Sequence, residues 1–257
     1  MPVELRVSTG IDTLTNPSTL EVTMAIKGKV AVAWIDPGTV TTDFATSMIR
    51  LFRSRSNKVD NWINVRSGGA LPRARNEAVD QFLKNCKEDW LLFIDSDMVF
   101  TPFEFDVLCE AAHSDKTPVI GGLCFAQDGT VGPFPGLMPT LYVDAGNGGG
   151  YNPIWNYPPN KLVEVDATGA AFILIHRKVL ETIRTTSGDG RWSWFGEHTA
   201  KTIDAWVSED ITFCERIKAS GFPIHVHTGA KIGHYKGHNY LLNEPMYQVL
   251  MASRANA

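Results

Sequence analysis

The chain has 257 residues, 44% hydrophobic and 20% charged, and its 28 acidic against 24 basic side chains give a net charge of −4. This is the composition of an ordinary globular protein, long enough for one α/β domain or two small ones. With no long basic run it carries no extended nucleic-acid footprint, and no apolar run reaches the roughly 18 residues that span a bilayer. The opening "MPVELRVSTG" lacks the pattern of a secretory signal. The four cysteines, Cys86, Cys109, Cys124 and Cys214, form no CxxC pair, as expected of reduced core thiols in a cytoplasmic protein.

Residues 1–27 are polar and rich in Thr and Ser, and predict an N-terminal arm or an added edge strand. The main domain is expected over 28–240, with a C-terminal helix or tail over 241–257. "KVAVAWID" (29–36) is a buried strand closed by Pro37-Gly38, and "TDFATSMIRLFR" follows with helical spacing. "NWINVRSG" predicts a second strand ending before Gly68-Gly69. "LPRARNEAVDQFLKN" predicts a helix with Ala74, Ala78, Phe82 and Leu83 turned to the sheet.

Next comes "WLLFIDSDMVF" (90–100), an apolar run that ends on Asp95-Ser96-Asp97. It reads as an interior strand of an α/β sheet, and carboxylates at the C-terminal end of such a strand lie where open sheets bind ligands. The plain alternative is that these aspartates cap the following helix. That helix has its own cap, however, with Thr101 at the N-cap, Pro102 at the first position and Glu104 three residues on. Two acids one residue apart suit a hard cation such as Mg²⁺ or Mn²⁺, which prefers oxygen ligands and bridges to phosphates.

"PVIGGLCF" is a further buried strand, and the Gly- and Pro-rich span 127–160 predicts a long loop or hairpin region. "KLVEVDATGAAFILIHRKVLETI" reads as a strand, a turn at Gly169, a buried strand and a helix. "RWSWFGEH" is an aromatic loop. "SEDITFCERIKASG" predicts a helix with Ser208 as N-cap, Ile211, Cys214 and Ile217 on one face, and Gly221 as its stop. "FPIHVHTGAKIGHYKGH" is a late strand followed by a turn dense in His and Lys. Strands alternating with helices, with a more antiparallel second half, predict one α/β domain.

In order along the chain stand a strand ending in a turn, "RARN", "DSD", "VDATGAAFILIHR", "SEDITFCERIKASGFPIHVHT" and "GH". This series resembles the GT-A fold glycosyltransferases, specifically family-2-like enzymes of the short single-domain type found in phages and bacteria. The resemblance implies a Rossmann-like nucleotide-binding half joined to a mixed-sheet acceptor half. It implies a nucleoside-diphosphate sugar as donor, Mn²⁺ or Mg²⁺ as cofactor, and an acceptor hydroxyl on a sugar, a protein or another compound. Asp95, Asp97 and His234 would be the metal ligands. Asp36, Pro37, Arg73, Arg75, Asn76, Asp95, Ser96, Lys236 and His238 would meet the donor. Gly169, Trp194 and Phe195 would meet the acceptor. Asp210, with Glu209 next, would be the base of an inverting transfer. A retaining transferase with the same metal site is the nearest alternative. "LLFIDSDMVF" also fits the haloacid-dehalogenase phosphatase motif, with Asp95 as nucleophile, but that motif normally opens its fold and here two strands and two helices precede it.

Overall fold

A computed structural model describes residues 26–127, 136–146, 148, 150–202, 204–236 and 240–255. The arm expected over 1–27 therefore lies almost wholly outside the described residues, as does His238. In chain order the elements are β1 (Val30–Asp36), α1 (Thr42–Ser54), β2 (Val59–Arg66), α2 (Leu71–Asn85), β3 (Trp90–Asp95), β4 (Met98–Val99), α3 (Pro102–Ala111), β5 (Val119–Leu123) and β6 (Phe125–Gln127). Then follow β7 (Leu137–Pro139), β8 (Leu141–Asp144), β9 (Tyr151–Pro153), β10 (Leu162–Val165), β11 (Ala167–Thr168), β12 (Phe172–His176) and α4 (Arg177–Ser187). The last are β13 (His198–Thr199), β14 (Trp206–Val207), α5 (Glu209–Ala219), β15 (Ile224–Lys231), β16 (Gly233–Lys236), β17 (Tyr240–Leu242) and α6 (Glu244–Ala255).

Seven strands form the main sheet in the order β10-β15-β5-β12-β3-β1-β2. β1 is parallel to both β2 and β3, whereas β12 is antiparallel to both β3 and β5. The near-continuous apolar runs of β1, β3, β5 and β12 are what a sheet covered on both faces requires. On one face lie Phe44, Met48 and Leu51 of α1 with Phe105, Leu108 and Cys109 of α3. On the other lie Ala74, Ala78 and Phe82 of α2 with Trp194, Phe195 and Phe213. Each fully buried Leu or Phe contributes about 1.5–3 kcal/mol. This mixed sheet between two helical layers is the α/β architecture expected from the sequence.

The antiparallel insertion of β12 positions the site. β1 and β3 are in register, with Ile35 beside Asp95, so their C-terminal ends share one edge. Because β12 runs the other way, its beginning reaches the same edge, and Asp95 N–H donates to the Ala171 carbonyl at 2.8 Å. The turn at Gly169 thereby faces the ends of β1 and β3.

The span 127–160 contains the short strands β7, β8 and β9, with β8 and β9 forming an antiparallel pair. The Thr101–Glu104 capping box of α3 is present in full. At α5 the expected cap differs. Ser208 occupies the N-cap position without a side-chain bond to the helix backbone, because its hydroxyl donates to the Asp210 carboxylate. α6 packs on the domain through Tyr247, which is 2% exposed. Among the described residues no helix is long and apolar enough to cross a membrane.

Candidate active site

A cleft of ≈ 970 Å³ opens at the shared strand edge. Its walls include Asp36 and Pro37 after β1, Arg75 of α2, Asp95, Ser96 and Asp97 after β3, the Gly169 turn, Glu209 and Asp210 of α5, and His234. Residues far apart in sequence thus meet in one place. Five carboxylates face it against one guanidinium among the described lining residues.

Asp97 and His234 are joined by a strand pairing. β16 runs antiparallel to β4, placing His234 opposite Met98, while Tyr235 N–H donates to the Asp97 carbonyl at 2.9 Å. His234 Nε2 lies 3.2 Å from Asp97 Oδ2, and its Nδ1 lies 2.9 Å from the Phe125 carbonyl. A carbonyl oxygen only accepts, so Nδ1 carries hydrogen, and Nε2 is the atom presented to the carboxylate.

Arg75 is the centre of the second half of the site. It is 2% exposed. Its Nη2 donates to Asp95 at 2.9 and 3.1 Å, its Nη1 to the Ala170 carbonyl at 3.3 Å, and its Nε stands 3.6 Å from Glu209 Oε1. The Phe93 and Phe195 rings flank it, with centroids 5.9 and 5.6 Å from the guanidinium carbon. Burial and the Asp210 charge push the Glu209 carboxyl upward, and the Arg75 guanidinium opposes them. Cys124 also lines the cleft, and burial together with the Asp95 and Asp97 charges pushes its thiol far up, leaving a neutral wall.

Asp210 Oδ1 accepts from the Ser208 hydroxyl and, at 2.9 Å, from Ile211 N–H. Its Oδ2 faces the Gly169 backbone, 3.7 Å from where a β-carbon would stand. The missing side chain leaves open space between the two.

Other residues named from the sequence take different places. Asn76 is 2% exposed and does not line the cleft. Its amide donates to the Pro72 and Phe195 carbonyls at 2.7 and 2.6 Å and accepts from the Trp194 and Phe195 N–H groups at 3.1 and 3.0 Å. Asn76 is a clasp for the aromatic loop, its hydrogen-bonding capacity fully used. Trp194 (0% exposed) and Phe195 (2%) are core residues, their faces against protein, and so present no ring to an acceptor. Trp192 is the exposed member of that loop. Arg73 lies on the exposed side of α2, away from the cleft. Lys236 ends β16. Asp36 does line the cleft, but its carboxylate is engaged by Gly38 N–H at 2.8 Å, Asn64 at 2.6 Å and Arg66 at 2.7 Å. The lining residues that sequence reasoning passed over include Thr39 to Thr42, Ser67, Thr140 and Cys124 to Ala126. Those of the first two groups follow strand ends and could have been marked on that ground, whereas nothing in its surroundings marks Thr140.

Known structures share this architecture at low identity. Protein A197 from STIV superposes with a TM-score of 0.56 at 18% identity, over 84% of this chain and 90% of that one. GalNAc-T7, solved with UDP, GalNAc and Mn²⁺, matches with a TM-score of 0.48 at 10% identity, over 81% of this chain and 44% of that one. A mutant of Drosophila β1,4-galactosyltransferase 7, solved with manganese, UDP-Gal and xylobiose, gives 0.43 at 15% identity, over 81% and 71%. At these identities the likeness is one of fold. No family model matches the sequence, and no curated protein matches it.

Proposed function

We propose that this protein is a metal-dependent glycosyltransferase that moves a sugar from a nucleoside-diphosphate donor to an acceptor hydroxyl, with inversion and with Asp210 as base. The observation that carries the reading is the Asp97–His234 pair. An imidazole whose Nδ1–H is fixed on a backbone carbonyl, leaving Nε2 to face a carboxylate, is held as metal-binding histidines usually are, its ring orientation and tautomer set by the far nitrogen. The donor set, one nitrogen with carboxylate oxygen, fits Mn²⁺ and accepts Mg²⁺. Among the described residues no group of three or more His, Cys, Asp or Glu could hold a metal ion, so the remaining ligands would be water and donor phosphate oxygens. Bound there, the cation would supply Lewis-acid stabilisation of the departing diphosphate.

The chain's own residues then divide the work. Arg75 fixes Asp95 at the end of β3, which makes Asp95 a rigid neighbour of the donor rather than a mobile ligand. Ser96 and Pro37 bound the donor's side of the cleft. Asp210 stands across the Gly169 turn, where its Oδ2 can accept the proton of an attacking hydroxyl. Glu209 is less suited to that role because its carboxylate is paired with the Arg75 guanidinium at 3.6 Å. The same engagement of both Asp95 oxygens argues against Asp95 as a phosphatase nucleophile.

The test is a panel of nucleoside diphosphates scanned for thermal stabilisation with and without Mn²⁺, since a ligand that binds the native state raises its stability. It is paired with assays of sugar-nucleotide hydrolysis and of p-nitrophenyl phosphate hydrolysis. Metal-dependent nucleotide stabilisation and release of nucleoside diphosphate are expected. Monoester hydrolysis without either would replace the reading with a phosphatase. The product's anomeric configuration by NMR tests inversion.

A further inference from the structure

We infer that a second cavity, lying beside the cleft along α5 and β8, is a saccharide subsite extending the acceptor end of the cleft, an inference that rests on the transferase reading above. This cavity, ≈ 490 Å³, is lined by Asp144, Tyr151, His198, Lys201 and Glu215 among others. Its size falls within the roughly 300–1,000 Å³ typical of small-ligand sites.

The lining selects against other ligand classes. His198 Nε2 lies 2.7 Å from Glu215 Oε2, and its Nδ1 lies 3.0 Å from the Thr199 carbonyl. Both ring nitrogens face acceptors, which favours the doubly protonated imidazolium, and its pKa is accordingly raised. Two carboxylates, Asp144 and Glu215, thus share the wall with Lys201 and with an imidazole paired to Glu215. Such a wall of mixed sign offers no strong single-sign field to a phosphate or to a free metal ion. An apolar ligand would strip water from these polar groups and give them no partners. A neutral polyhydroxyl ligand can donate to the carboxylates, accept from Lys201 and rest a carbon-rich face on the half-buried Tyr151 ring.

The cavity's place in the fold ties it to the acceptor. Two elements run from the cleft to it. α5 begins with Glu209 and Asp210 in the cleft and reaches the second cavity at Glu215, about 8 Å along the axis at 1.5 Å per residue. Thr140 lines the cleft just before β8, and Asp144 at the end of that strand lines the second cavity, roughly 13 Å on at 3.3 Å per residue. A linear saccharide whose terminal hydroxyl meets Asp210 would lay its following units in this direction. The substrate class inferred is therefore an oligosaccharide or glycan chain of two or more units.

The experiment applies fluorescently labelled full-length protein to a printed array of defined mono- and oligosaccharides, with Tyr151→Ala, Glu215→Gln and Lys201→Gln in parallel. Thermal unfolding identifies which variants are folded, and only those are scored. The parent should retain a subset of chains of two or more units. The folded variants should bind them about tenfold more weakly, the loss of one charge-assisted hydrogen bond or of the ring contact. No saccharide retained by the parent, or equal retention by the folded variants, overturns the subsite. Mn²⁺-dependent nucleotide stabilisation of the parent is measured separately. Its absence with saccharide binding present would sink the transferase reading and leave the saccharide site standing.

Discussion

Replacing Asn76 by Ala tests the claim that this residue is a clasp. The substitution removes the partners of three buried backbone groups, the N–H of Trp194, the N–H of Phe195 and the carbonyl of Phe195. A buried polar group left unsatisfied costs about 1–3 kcal/mol. Some relaxation and entry of water hold the sum to the lower part of the range, about 3–6 kcal/mol. That is a large share of the roughly 5–15 kcal/mol by which domains are stable. For a chain of this size each kcal/mol moves the midpoint by about 2–4 °C, so Tm should fall by on the order of 10 °C. Thermal unfolding by circular dichroism measures it. Asn76→Asp provides a second reading, because its carboxylate keeps the two N–H bonds but sets negative charge against two carbonyl oxygens, and should also destabilise. A donor contact at this position makes the opposite forecast, lost nucleotide affinity at an unchanged Tm. A Tm within about 2 °C of the parent in Asn76→Ala would refute the clasp, since the three orphaned groups alone demand more than that.

Asp97→Ala should abolish the Mn²⁺-dependent part of nucleotide stabilisation while the apo protein unfolds at nearly the parental temperature, and differential scanning fluorimetry checks both. His234→Ala should weaken the metal–nucleotide complex, whereas His225→Ala, in the strand beside Glu164, should act mainly on Tm; the reverse pattern would move the site into β15. Asp210→Asn should lower kcat by about 10²–10⁴-fold, the usual size of a general-base contribution, with near-parental kinetics removing Asp210 from that role. The His198 pKa is raised, by the Thr199 carbonyl first and by Glu215, against the opposing Arg216 charge. Its contribution to stability is therefore complete below the ordinary value of 6.5 and fades as pH rises through the raised one, so urea midpoints from pH 5 to 9 should show a decline that Glu215→Gln flattens.

How much of this was legible in the sequence varies with the range of the interaction. α2 runs over Leu71–Asn85, the span its periodicity and flanking glycines predict. The α3 capping box is equally local, four consecutive residues whose bonds all lie among themselves. The short strands β7, β8 and β9 were less visible, because three or four residues carry too little alternation to separate from a loop. The Asp97–His234 contact spans 137 positions and depends on the two-residue strand β4, so composition alone gives no hint of it, and only the resemblance named His234. The aromatic loop misled for a different reason. A run of Trp and Phe fits a sugar platform and a core plug equally well, and only tertiary packing, here against Asn76 and Phe213, decides between them.

Arg75 and Asn76 show how the chemistry of the cleft depends on the packing beneath it. Adjacent helix positions point about 100° apart at 3.6 residues per turn, so one residue of the pair faces the cleft while the next faces the core. Asn76 fixes the backbone of Phe195, and the Phe195 ring is one of the two that flank the Arg75 guanidinium. The guanidinium in turn is, among the described residues, the single guanidinium or ammonium lining the cleft against five carboxylates. With so negative a wall, a diphosphate entering without a divalent cation meets net repulsion, and with one it meets a carboxylate–imidazole pair already aligned. The proposed metal dependence thus rests on the charge balance of the described lining as well as on the Asp97–His234 contact. The same logic makes Arg75→Leu a severe change, since it leaves Asp95 and Glu209 as partly buried carboxylates without their common partner, a loss that commonly costs about 3–5 kcal/mol.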